Sequence, residues 1–181
     1  MQTRMMTGVW IILMLFVFAA PLFAADVAKI GILDFQRVLE TSSAGKASQA
    51  KINQQGKEME AELKKKQSEL QELKNKLERE ALVMSKEMRE EKQREFRITL
   101  NDFKTLEKKY KQDLARLNQA LVKQIQDDVF KLVEEYGKKE GFLLIVEKLE
   151  GGVVYSPQTI DVTDKLIQIY NNQFAQQGGK L

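Results

Sequence analysis

The sequence predicts an α+β protein, mainly helical. A small β body of three strands and a C-terminal helix per chain carries a long inserted antiparallel helical hairpin. Three observations lead there. Between Gly56 and Gly137 the chain runs 80 residues without glycine or proline, the residues that most readily end a helix. Within that stretch apolar residues recur at alternating three- and four-residue steps among dense charge, the pattern of a narrow stripe that pairs with one partner helix. Short β-branched segments flank it on both sides.

Residues 1–25 read as a cleaved secretory signal peptide. Arg4 supplies the positive start, and Val9 to Ala20 is an apolar run of 12, short for a bilayer span. Pro21 breaks the run, and Ala24 and Ala25 are small residues that allow cleavage after either. An uncleaved anchor is the alternative; a lipoprotein anchor is excluded, because no cysteine follows. The expected location is an extracytoplasmic space.

The chain contains no histidine and no cysteine. That removes the commonest metal ligands, thiol nucleophiles and near-neutral proton shuttles. No cofactor, no metal and no enzymatic activity are expected. Beyond residue 25 the charge is nearly balanced, with 28 basic and 26 acidic residues interleaved in sign. A nucleic-acid binder concentrates its basic residues on one face, so nucleic acid is not an expected partner.

Val27 to Leu33 is read as the first strand, with Asp34 capping a short helix over Phe35 to Glu40. Thr41-Ser42-Ser43 interrupts, Gly45 loosens the chain, and the arm spans residues 45–137. Its first stripe is Met59, Leu63, Leu70, Leu73, Leu77, Ala81, Met84 and Met88. The second runs from Phe96 through Leu100, Leu114, Leu121, Ile125 and Val129 to Tyr136. A single continuous helix is the alternative. The stripe loses phase at Leu82-Val83-Met84-Ser85, where Ser85 offers an N-cap, so the tip is placed near 82–88. Gly137 and Gly141 end the arm. Phe142 to Val146 reads as a strand, Glu150-Gly151-Gly152 as a turn, and Val153 to Tyr155 as a strand returning in a β-hairpin. Asp161 then caps a final helix bearing Leu166, Ile167, Ile169, Tyr170 and Phe174.

The body, residues 26–44 and 138–181, has about 63 residues, a marginal size for a domain standing alone. Its central strand is apolar on both faces, so an oligomer interface is expected over Ile30, Ile32, Phe142, Leu144, Val146, Val153 and Tyr155. A monomer in which the arm base covers that face is the alternative.

The order of elements resembles the Skp/OmpH family of periplasmic chaperones. The resemblance is carried by Lys29-Ile30-Gly31-Ile32-Leu33-Asp34-Phe35-Gln36-Arg37-Val38-Leu39, by Ser43-Ala44-Gly45-Lys46, and by Ile160-Asp161-Val162-Thr163-Asp164. It implies a jellyfish-shaped homotrimer whose arms enclose unfolded outer-membrane proteins without ATP. It also implies contact with a membrane or lipopolysaccharide surface. Lys86, Arg89, Lys92, Arg94 and Arg97 lie in the outer arm, but acids alternate with them and no such site is assigned.

One stripe per arm leaves little apolar surface over, so a client would be held by many weak contacts at once. Leu82, Val83, Met84, Met88, Phe96 and Ile98 cluster in the outer half of the arm, and Val83 and Ile98 fall off the pairing phase. These six are the candidate client-binding residues; a hydrophobic plug that closes the turn is the alternative use. The competing function is a structural coiled-coil spacer or adaptor.

Overall fold

The computed structural model describes residues 28–179; the signal-peptide reading falls outside them. Strand β1, Ile30–Leu33, leads into helix α1, Phe35–Thr41. Two long helices follow, α2 over Ser43–Glu80 and α3 over Lys86–Glu140, with 38 and 55 residues. At 1.5 Å per residue they are roughly 57 and 83 Å long. Strand β2, Leu144–Glu147, a 3-10 turn at Gln158–Ile160, and helix α4, Thr163–Gln176, complete the chain.

The helix ends are fixed by local hydrogen bonds. The Asp34 carboxylate accepts from Arg37 N at 3.0 Å and starts α1. Ser42 serves both neighbours: its N–H donates to Val38 O and closes α1, and its hydroxyl accepts from Gly45 N and opens α2. Ser85 opens α3 by accepting from Met88 N at 3.3 Å, as its sequence position predicts. Gly45 does not loosen the chain. It is buried inside α2, and a Cβ there would lie 1.9 Å from Leu39 O, so the glycine lets two helices approach backbone to backbone. Gly137 lies within α3 rather than ending it; Gly141, at φ 71°, takes the left-handed cap.

The two long helices touch each other with residue numbers running in opposite senses. A Cβ on Gly56 would sit 4.0 Å from Leu114, and further out the Tyr110 hydroxyl donates to Glu62. The stripe residues Met59 to Leu77 and Phe96 to Leu117 are partly shielded, and shielding deepens toward the body, where Leu121, Ile125, Val129 and Leu132 are buried. Met84 and Met88, placed by periodicity in the first stripe, lie instead in the bend and in α3, with Met88 54% exposed. Among the described residues seven ion pairs join side chains within one long helix, including Lys66–Glu69, Lys92–Glu95 and Lys123–Asp127.

The sheet differs from the β-hairpin reading. β1 and β2 pair in parallel, with Ile30 opposite Leu144 and Leu33 opposite Glu147. Val153–Tyr155 forms no strand, so two strands stand where the sequence predicts three. Gly151 and Gly152 do turn the chain, with Gly152 at φ 63°, but the segment beyond does not pair back. Instead Val162 N donates to Ile32 O, placing the 161–162 segment on the other edge of β1. The core gathers Leu33, Val38, Ala44, Ile125, Val129, Leu132, Leu166, Tyr170 and Phe174 from β1, α1, α2, α3 and α4.

Candidate functional site

The outermost apolar group sits where α2 gives way to α3. Glu80 is the last residue of α2, and the chain turns through 81–84 before Ser85 caps α3. Arg89 reaches back from the first turn of α3 and donates to the carbonyl of Ala81, satisfying an acceptor that the ended helix leaves free. Leu82 and Val83 point outward, 94% and 85% exposed. Met88 and Ile98 are about half exposed, while Met84 and Phe96 are partly shielded. Phe96 and Ile98 lie two residues apart, about 200° around the helix, so one joins the stripe and the other leaves it. The six candidates therefore divide: Leu82, Val83, Met88 and Ile98 present apolar surface to solvent, and Met84 and Phe96 are partly spent on packing.

A second apolar surface surrounds the sheet. Ile30, Leu143 and Leu144 are 42%, 74% and 52% exposed, and beyond β2 Leu149, Val154 and Tyr155 are also open. Val146 and Val153 are half-buried. Two members of the expected interface are used within the chain. Ile32 is 5% exposed and faces the interior. Phe142 packs its ring 5.7 Å from that of Tyr136 and under the Lys29 ammonium at 4.1 Å, in space that Gly31 leaves by having no side chain. Leu143, Leu149 and Val154 were not singled out from sequence; their only signal is that they are apolar residues beside turns.

The third cluster is polar and holds the body together. Arg37 Nη2 lies 2.8 and 2.7 Å from the two carboxylate oxygens of Asp161 and its Nε 3.8 Å from Asp164. Lys148 Nζ is 3.0 Å from Asp34 Oδ2, and Asp34 N donates to the fully buried Thr163 hydroxyl. Glu147 accepts from Phe35 N and Glu150 N, tying β2 to α1 and to its own turn. Asp161 does not cap α4 in the expected way. Val162 occupies the cap position, and the Asp161 carboxylate accepts from Thr163 N one residue further on. Burial by itself would raise the Asp34 and Asp161 carboxyls. For Asp34 the bond from Arg37 N and the Lys148 ammonium outweigh it; for Asp161 the Thr163 donors and the Arg37 guanidinium do. Both are held below the usual aspartate range. The phenol of Tyr170, on the buried face of α4, is pushed up to about 12 by burial and then by the charge of Asp128.

Among the described residues no three acids converge to hold a metal, and no helix is long and apolar enough to cross a membrane. The arrangement defines a mainly helical α+β protein whose open features are apolar patches at the far bend and beside a small sheet. The chain belongs to the OmpH-like family: residues 29–170 match the family described as Outer membrane protein (OmpH-like). The fold is similar to the crystal structure of a Caulobacter crescentus CB15 protein assigned as an OmpH-like outer membrane chaperone. That match has a TM-score of 0.75 at 13% identity and covers 81% of this chain and 86% of that one. No curated protein matches the sequence significantly.

Proposed function

We propose that this protein is an ATP-independent holdase chaperone of the periplasm, which takes up unfolded outer-membrane proteins and keeps them from aggregating. The observation that carries the reading is the exposure of Leu82 and Val83 at the bend between two long helices whose outer sides are densely charged, in a chain of the OmpH-like family. An unfolded client offers scattered apolar segments. A few exposed aliphatic side chains per arm give weak, rapidly exchanging contacts, and several arms acting together multiply them.

The arms act together when the bodies associate. In this reading α2 and α3 form an antiparallel hairpin standing on the body, and three chains join in a homotrimer through the apolar surface around Ile30, Leu144, Val146, Val153 and Tyr155. The free outer edge of β2 supports it, because an unpaired strand edge beside exposed apolar residues favours pairing with another chain. Contact with a membrane or lipopolysaccharide surface would accompany client delivery.

The test is light scattering of an outer-membrane protein diluted out of denaturant, with no nucleotide present. Suppression at a few-fold molar excess of this protein is expected. Undiminished aggregation at several-fold excess rejects the holdase and favours the spacer.

A further inference from the structure

Beyond residue 25 the sulfur of the chain is three thioethers, Met59, Met84 and Met88, with no thiol beside them. Among the described residues the core contains none of the three. Their surroundings differ. Met59 belongs to the stripe between the long helices, in the stretch marked by the Gly56–Leu114 and Tyr110–Glu62 contacts, and is partly shielded. Met84 is partly shielded in the bend. Met88 lies in the first turn of α3, where its N–H donates to Ser85 Oγ at 3.3 Å. It is 54% exposed, the most open of the three, and stands close after the bend that bears Leu82 and Val83.

Methionine suits a surface that meets many different apolar segments, because its side chain is flexible and its sulfur polarizable. The same sulfur is open to oxidants wherever solvent reaches it, and the sulfoxide is a polar side chain in place of an apolar one. With hydrogen peroxide, a lone pair on Met88 Sδ attacks one peroxide oxygen. The S–O bond forms as the O–O bond breaks, and the proton on the transferred oxygen passes to the departing one, which leaves as water. Sulfur loses two electrons and the peroxide gains them. The sulfoxide oxygen is a hydrogen-bond acceptor that loses its water when an aliphatic client segment covers it, so contact at the bend becomes less favourable. We propose that Met88 is an oxidation site, converted to its sulfoxide by peroxides ahead of Met84 and Met59, and that the sulfoxide weakens client holding at the bend. Two thiols of a methionine sulfoxide reductase would reverse the step, removing the oxygen as water and closing to a disulfide. Control of holding in this way rests on the holdase reading; the order of oxidation does not. Because Met88 lies outside the core, the fold should survive the change.

The test is a titration of the purified protein with hydrogen peroxide, in which peptide mass mapping reads the oxygen gained at each methionine. Met88 should oxidise about threefold faster than Met84 or Met59, or more. At the dose that converts Met88 alone, the molar excess needed to halve light scattering of an unfolded outer-membrane protein should rise about threefold. A methionine sulfoxide reductase with dithiothreitol should bring it back, and helical circular dichroism should not change. Met88→Gln, which carries a polar head of similar length, should hold weakly without any oxidant. Met88→Leu is compared with itself: whatever its starting holding, the same dose should leave it where it was. Oxidation of Met84 or Met59 first, equal holding before and after conversion of Met88, or an equal loss in Met88→Leu each overturn the proposal. Loss of helix on oxidation does so too, because weaker holding would then follow from unfolding. Untreated protein that fails to suppress scattering overturns the holdase reading and the control of holding with it, while the masses alone still decide the order of oxidation.

Discussion

One amino group of Arg37 bonds both carboxylate oxygens of Asp161, at 2.8 and 2.7 Å, joining the first helix of the body to the segment that starts the last. The two side chains are 31% and 18% exposed, sheltered enough for the pair to matter. Arg37→Ala leaves the carboxylate partly buried without its cation and should cost about 1–3 kcal/mol. Asp161→Asn keeps an acceptor for Thr163 N and should cost less. Urea unfolding of both singles and the double should give a coupling of about 1 kcal/mol or more; additive losses would show the pair to be incidental.

Acid should undo the same cluster. Asp34 and Asp161 have folded-state pKa values below their unfolded ones. Their stabilising contribution is therefore complete above the ordinary aspartate value of roughly 3.9 and is lost as pH falls below it. Thermal stability should be flat in these groups from pH 7 to 5 and drop below about pH 4. In Asp161→Asn that acid limb should be shallower, because one of the two titrating groups is gone.

Two glycines of α2 should respond to alanine with opposite signs. At Gly45 the new Cβ would fall 1.9 Å from Leu39 O, a backbone atom that cannot swing aside, and the expected loss is about 3 kcal/mol. At Gly56 the nearest atom is Leu114 Cδ1 at 4.0 Å, an ordinary contact in a helix interior, and the expected gain is about 0.5–1 kcal/mol. Melting temperatures of the two variants read this directly; two changes of the same sign would contradict the packing described.

Val83 and Ile98 are 85% and 53% exposed. Replacing both with serine removes apolar surface that the fold does not use, so unfolding midpoints should move by no more than about 0.5 kcal/mol. Holding of an unfolded outer-membrane protein, read as the excess needed to halve light scattering, should weaken severalfold. Unchanged holding would remove these two residues from the client-binding surface.

What could be read from the sequence was what local hydrogen bonds decide. The Asp34 and Ser85 caps, the break after Glu80 and the long helical stripes each depend on residues within a few positions of one another. The sheet is not legible in the sequence because its pairing is not local. Gly151 and Gly152 make the turn expected of a hairpin, yet β2 finds its partner in β1, more than 110 residues upstream. The neighbours of Asp161 suit a cap, but Arg37 draws its carboxylate into a contact no local pattern encodes. For the candidate residues, periodicity separated Ile98 from the stripe, and exposure agrees with it. It could not show that Ile32 and Phe142 turn inward, since a strand apolar on both faces gives no sign of which face the chain itself will cover.

The parallel pairing of β1 with β2 also sets an order of events. β1 leads the chain, and its partner lies beyond both long helices, more than 110 residues on. The helices form locally in microseconds and bring the waiting ends together, which shortens the loop to be closed. A chain cut short just before Leu144 keeps its two long helices but loses its closure and the last helix, leaving β1 and one side of α1 bare. Such a fragment offers its first segment to proteases, whereas in the full-length chain that segment is held between β2 and the start of the last helix.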